Sequence, residues 1–204
     1  MRKGEIILFL QQTKRTDKRL LVRMKRHYSQ PKGFVGRNIC YAVYQDDIYY
    51  GHIVGGSATR FLPGRNEYLG ITIKELNKVV NNIFYNISKV DNKYPKRNFT
   101  SLVVKEFMKT ITKDWYKKYG DVVIGFETLI EKPRTGELYK KAGFVKVGET
   151  VGYTCKRISG KGTDNWTGKR VWNTSKDQLR PKHVFCLRRP KPKLKFRKGN
   201  KCQD

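Results

Sequence analysis

Two clusters in this chain combine residue types suited to moving protons. In Val122-Val-Ile-Gly-Phe-Glu-Thr-Leu-Ile130 a single carboxylate, Glu127, interrupts a nearly continuous apolar run. Such a run is expected of a central strand covered on both faces. A carboxylate inside it either pairs with a cation or has a raised pKa suited to proton abstraction, and both readings stand at this point. In Arg26-His-Tyr-Ser-Gln30 the imidazole, phenol and hydroxyl of His27, Tyr28 and Ser29 lie side by side, ahead of a pliable stretch with Gly33 and Gly36. Histidine titrates nearest neutrality, so His27 is a candidate base as well as a candidate helix cap.

Periodicity gives the elements that must position these groups. Residues 12–26 hold seven cations and Asp17, with Leu20, Leu21 and Met24 as an apolar stripe, and read as a basic first helix. Ile39 to Gln45 and Ile48 to Val54 flank Asp46-Asp47 with the spacing of a tight hairpin. Thr72-Ile-Lys-Glu75 reads as a capping box, and Ile73, Leu76, Val80, Ile83, Phe84 and Ile87 recur at helical spacing, predicting a helix of about four turns. A second helix opens at Asn98-Phe-Thr-Ser101, buries Val104, Phe107, Met108, Ile111 and Trp115, and ends near Gly120. After the Val122–Ile130 strand come a short helix from Thr135 to Ala142, strands at 144–147 and 152–156, a polar loop from Ser159 to Arg180, and a last strand at 183–188.

Charge narrows the partners. Lys and Arg number 45 against 17 acids, a net charge of +28, more than solubility needs and costly in self-repulsion unless a polyanion is bound. Hydrophobic residues make up 38% and aromatics 12%, enough for a real core and too much for a disordered basic tail. From Arg188 to Lys201 the chain carries eight cations, two prolines and no acid, which reads as a flexible cationic arm able to neutralise several phosphates. The DNA-binding residues expected on these grounds are Arg19, Arg23, Lys25 and Arg26 in the first helix, with Arg188, Arg189, Lys191, Lys193, Lys195, Arg197 and Lys198 in the arm. Cys40, Cys155, Cys186 and Cys202 form no CxxC pair, so no zinc spacing is present, and no metal is expected. Glu5-Ile-Ile-Leu-Phe-Leu10 falls short of the roughly 20 apolar residues that span a bilayer. No long amphipathic helix favours a membrane surface, and a reducing cytoplasm is expected.

Gly136-Glu-Leu-Tyr-Lys-Lys-Ala-Gly-Phe144 resembles the closing helix and strand of the GNAT acyltransferases. In that family the helix tyrosine often stands near the thioester, which makes Tyr139 a candidate acid or positioning group; packing of Leu138 and Phe144 is the simpler alternative. The order and spacing of His27-Tyr-Ser29, Asn81-Asn82, Asn98-x-x-Ser101, Phe126-Glu-Thr128, Gly136-x-x-Tyr139-x-x-Ala142, Gly148-Glu-Thr150 and Pro181-Lys-His-Val-Phe185 further resemble the bacteriophage Mom DNA-modification proteins and the DruA-type domains of antiphage defence. The likeness spans about residues 22–188. It implies a mixed α/β, GNAT-like fold with a largely antiparallel sheet, a single domain at 1–188 and a basic tail at 189–204. It also implies transfer of a carbamoylmethyl-type group to the exocyclic amine of adenine in DNA, shielding phage DNA from restriction. By the same likeness His27, Tyr28, Ser29, Ser101, Glu127 and Tyr139 are the catalytic candidates, Glu127 standing where Mom has an aspartate. An acetyl-CoA-like donor is implied as well, held by Lys96, Arg97, Asn98 and Ser101, but Pro95 to Ser101 lacks the family's glycine, which leaves a donor other than free acetyl-CoA open. Because duplex DNA hides the amine, the base must be flipped, and Tyr28, Phe61 and Trp166 are candidates to hold it. Two other classes remain open: a GNAT-like DNA-binding module without chemistry, and an acetyltransferase acting on RNA or protein.

Overall fold

The apolar runs around Asp46-Asp47 pair as expected. Strand β2 (Asn38–Gln45) lies antiparallel to β3 (Ile48–Ser57), from Asn38↔Gly56 to Gln45↔Ile48. Both turn residues adopt positive φ, 49° and 62°, which matches the strand twist and which aspartate tolerates. The computed structural model describes residues 8–28, 33–87, 90, 93, 95, 98–152, 154–158, 169–173 and 180–189. Among them no helix is long and apolar enough to cross a membrane.

Two segments depart from the periodicity. Leu8, Phe9 and Leu10 belong to a strand, β1 (Leu8–Thr13), paired to β2, so the first helix is shorter than 12–26: α1 spans Lys18–Arg26 and is capped by the Asp17 carboxylate. The four-turn helix predicted from Ile73 to Ile87 does not form. Glu75 does reach back to the Thr72 amide (3.1 Å), but it closes only a 3-10 stretch, Ile73–Lys78, before strand β4 (Val79–Asn86). Here the helical spacing runs across two elements. The segment Val79 to Tyr85 is dense in β-branched and aromatic residues and buried on both faces, so the two-residue alternation that would have marked a strand is lost.

Strand order across the main sheet is β1-β2-β3-β4-β5-β9-β6, with β5 (Gly125–Glu131), β6 (Val145–Thr150) and β9 (Lys182–Arg188). Neighbours are antiparallel except β4 and β5. Within the region read as a polar loop lies a strand, β8 (Lys169–Asn173), which pairs with β7 (Thr154–Ile158) in a separate hairpin.

Helix α3 (Phe99–Tyr119) covers one face of the sheet, burying Val103, Val104, Phe107, Ile111 and Trp115 against Tyr41, Val80 and Phe126, with Met108 only partly covered. Its approach is close enough to require Gly55, where an added Cβ would stand 2.2 Å from Ile111 Cδ1. Helix α1 lies on the opposite face through Leu20 and Met24, packed with Cys40, Val54 and Tyr85. A helix not foreseen, α2 (Pro63–Leu69), begins with proline at its first turn and ends at Gly70 in the left-handed conformation. Helix α4 (Glu137–Lys141) follows the expected site.

Candidate active site

The site starts from an incomplete ladder. Strands β4 and β5 run parallel for only Val79↔Gly125, Val80↔Phe126 and Asn81↔Glu127, then part. At the parting point side chains replace the ladder: Asn82 Nδ2 donates to the Glu127 carbonyl (3.0 Å) and Thr128 Oγ1 donates to the Asn82 carbonyl (3.1 Å). Beyond them, β4 continues along β3 and β5 along β9. Among the described residues no strand pairs with the facing edges of Ile83–Asn86 and Leu129–Glu131. Backbone edges of this kind seek partners, so the wedge is a place for an extended ligand. Asn82 Oδ1 is buried at its apex and has no hydrogen-bond partner. Because the amide nitrogen is fixed by its bond to Glu127, this oxygen stays an acceptor for an incoming N–H.

On the α3 side of the wedge, Tyr139 from α4 is 5% exposed and meets Phe144 edge-on at 5.5 Å. Burial pushes its phenol up to about 12, opposed by its hydrogen bond with Thr128, so it keeps its proton at neutral pH. The opening turn of α3 follows β4 in the chain. Asn98 supplies the left-handed conformation (φ 64°) that a glycine would otherwise provide, and the first amides of the helix are without intrahelical partners. The Ser101 hydroxyl is spent on the Asn98 carbonyl (2.9 Å), so its amide rather than its side chain is available to a ligand. Lys96 and Arg97 lie outside the described residues.

On the α1 side, His27 caps α1 and meets the Tyr85 ring of β4 edge-on at 5.0 Å. Tyr28 follows, its ring under the Arg134 guanidinium at 3.7 Å and its phenol hydrogen-bonded by the Glu131 main chain at the end of β5. The His27-Tyr28 step thus joins β4 to β5 across the mouth of the wedge. Burial, with Arg134 adding to it, lowers His27 to about 4, which leaves the imidazole neutral at pH 7. One face of Tyr28 is taken by Arg134, and Phe61 is 55% exposed between β3 and α2. Ser29 and Trp166 lie outside the described residues.

Glu127 is 2% exposed and pairs with Arg65 of α2, itself 1% exposed. Asn81 Nδ2 donates to its other oxygen (3.1 Å), while Arg65 also binds the Arg60 carbonyl and Asn66 Oδ1. Burial raises the carboxyl's pKa, against the pull of Arg65 and Asn81. Both features anticipated for this residue are present, the ion pair and the raised pKa. Sequence reasoning passed over Arg65, Arg134, Tyr85 and Glu131. Arg65 and Arg134 are single cations among 45, and Tyr85 falls where a helix was expected.

Several expected DNA contacts are already engaged. Arg19 bonds Asp17 and Tyr44, Arg188 bonds the Tyr68 carbonyl, and Arg189 bonds the Val123 carbonyl. Lys25 and Arg26 are exposed and Arg23 is partly covered; Lys191, Lys193, Lys195, Arg197 and Lys198 lie outside the described residues. No group of three or more His, Cys, Asp or Glu among the described residues is placed to hold a metal.

No protein-family model matches the sequence, and no curated protein matches it. Solved structures do. An acetyltransferase from Bacillus subtilis in complex with CoA is 15% identical over 91% of this chain and 100% of its own, with a TM-score of 0.51. An aminoglycoside acetyltransferase in complex with coenzyme A and kanamycin is 12% identical over 91% and 95%, TM-score 0.49. A GNAT-family acetyltransferase from Streptococcus pneumoniae is 12% identical over 89% and 99%, TM-score 0.48. With its mixed sheet, parted parallel strands and flanking helices, the chain has the GNAT acetyltransferase fold.

Proposed function

We propose that the chain is a GNAT-type transferase that moves a small acyl-derived group onto the exocyclic amine of a base in DNA, adenine by its resemblance to the Mom proteins. The wedge between β4 and β5 carries this reading. It offers two strand edges that no strand among the described residues pairs with and the Asn82 acceptor, with a proton-bearing phenol on one side and a neutral imidazole on the other. A net charge of +28 supports a polyanionic acceptor.

A coenzyme A-type donor fits the residues present. The strand edges and Asn82 Oδ1 would hold the amides of an extended arm, and the first amides of α3 would suit phosphate oxygens. When bound, such a donor supplies the activated carbonyl carbon. His27, unprotonated, takes up the proton that the acceptor amine sheds as it forms its new bond. Tyr139 Oη holds the proton that a departing thiolate requires. Glu127 stays with Arg65 and acts by fixing α2 against the sheet.

DNA from cells expressing the protein, digested to nucleosides and analysed by mass spectrometry, is expected to contain a mass-shifted deoxyadenosine. Tyr139→Phe and His27→Gln are each expected to lower the yield about 10²-fold, the low end for a lost acid or base. Unaltered nucleosides beside folded protein overturn the enzyme reading, and tight DNA binding without an adduct points to a binding module instead. Label from radioactive acetyl-CoA appearing in RNA or protein overturns DNA as the acceptor.

A further inference from the structure

A second cationic feature lies at the end of the sheet away from the wedge. The turn after β1, the start of β2 and the C-terminal end of α3 enclose a cleft of about 670 Å³. Lys14, Arg15, Arg37 and Lys118 line it together with Thr13 and Tyr119, and no carboxylate among the described residues does. Tyr119 organises two of the cations: the Arg37 guanidinium stands 5.1 Å from its ring centroid and Lys118 Nζ 5.2 Å. Arg37 is further held by Asp121, and Lys118 by the Asn38 carbonyl at 3.1 Å. Lys14 and Arg15 are exposed. Thr13 Oγ1 is buried and has no partner, a hydroxyl left free to donate to an anionic oxygen. Cys40 in the lining is kept a neutral thiol by burial, its pKa raised to about 11.

The cleft is connected to the wedge by α1. Lys14 and Arg15 lie three and two residues before Asp17, which caps the start of the helix, and His27 at its end faces Tyr85 at the wedge. Between them Lys18, Lys25 and Arg26 are exposed. Nine residues of helix cover about 13 Å, and one strand of duplex DNA carries a phosphate about every 3.4 Å of axis, so α1 spans about four nucleotides.

We propose that the cleft is a docking site for backbone phosphate of the DNA substrate, holding the strand about four nucleotides from the base presented at the wedge, with α1 as the track between. This rests on DNA being the acceptor. The cleft fixes the register of the strand, while the wedge selects the reacting base.

Binding of a fluorescein-labelled duplex is measured by anisotropy over a range of salt concentrations, with folding of each variant checked by thermal melting. Each lost phosphate contact removes about 0.9 from the slope of log affinity against log salt, so Lys14→Gln/Arg15→Gln is expected to lower the slope by about 2 and Lys118→Gln by about 1. Lys105→Gln/Lys113→Gln, which removes the same charge from the exposed face of α3, is expected to keep the wild-type slope. Equal slopes for cleft and control variants overturn the docking site while leaving DNA as the acceptor. A wild-type protein with no salt-dependent DNA binding overturns both.

Discussion

The two faces of the sheet are built from different materials. Under α3 lies one large apolar cluster, with Phe107, Ile111 and Trp115 each fully buried. Under α1 and α2 the apolar clusters are small, and among them sit His52, Arg65 and Glu127, each at most 2% exposed. Dispersion and burial hold the first face, which tolerates change in proportion to volume. On the second, Arg65 and Glu127 depend on particular partners, so its energetics are sharper.

The largest break is expected at Arg65. Removing it in Arg65→Ala strands a buried carboxylate and should cost about 3–5 kcal/mol, read by urea denaturation. Replacing both partners, as in Arg65→Met/Glu127→Leu, should recover most of that loss. A recovery as poor as the single variant would show that the face is held by volume after all. On the α3 side, Ile111→Ala is expected to cost about 2–5 kcal/mol, and with Arg65→Ala the two losses should add, since they lie on opposite faces.

Acid separates the faces further. Burial lowers His52, as it does His27, to about 4, with Asp17 opposing it, against an ordinary value of 6.5. Between pH 6.5 and pH 4 these two imidazoles bind more protons in the unfolded chain than in the folded one, so the stability they contribute falls as the pH drops through that window. For fully buried His52 the loss is at most about 3 kcal/mol. Denaturation midpoints at pH 7, 5 and 4 check this, and a flat profile would mean that neither imidazole is desolvated. The smallest effect is expected from Asp17→Ala, about 1 kcal/mol, through loss of the α1 cap.

Legibility in the sequence divides along the same line. The α3 stripe, the hairpin at Asp46-Asp47 and the Gly136–Phe144 helix and turn could be read directly, because each follows from local periodicity or turn chemistry. Glu127 could be singled out but not assigned, since its partner Arg65 is 62 residues away and no local pattern marks that cation. Strand β4 was misread because burial on both faces erases alternation. The clustering of His27 and Tyr28 with Tyr85, Glu131 and Arg134 depends on strands parting in space, which has no signature in a single chain.

With only three rungs joining β4 to β5, the main sheet is two panels stitched by a thin seam. Whatever lies along the open edges acts as mortar between them, so occupancy should be felt as rigidity. Amide protons on Ile83–Asn86 and Leu129–Glu131 should exchange more slowly once the gap is filled, while those of β2 and β3, already laced on both sides, should barely respond.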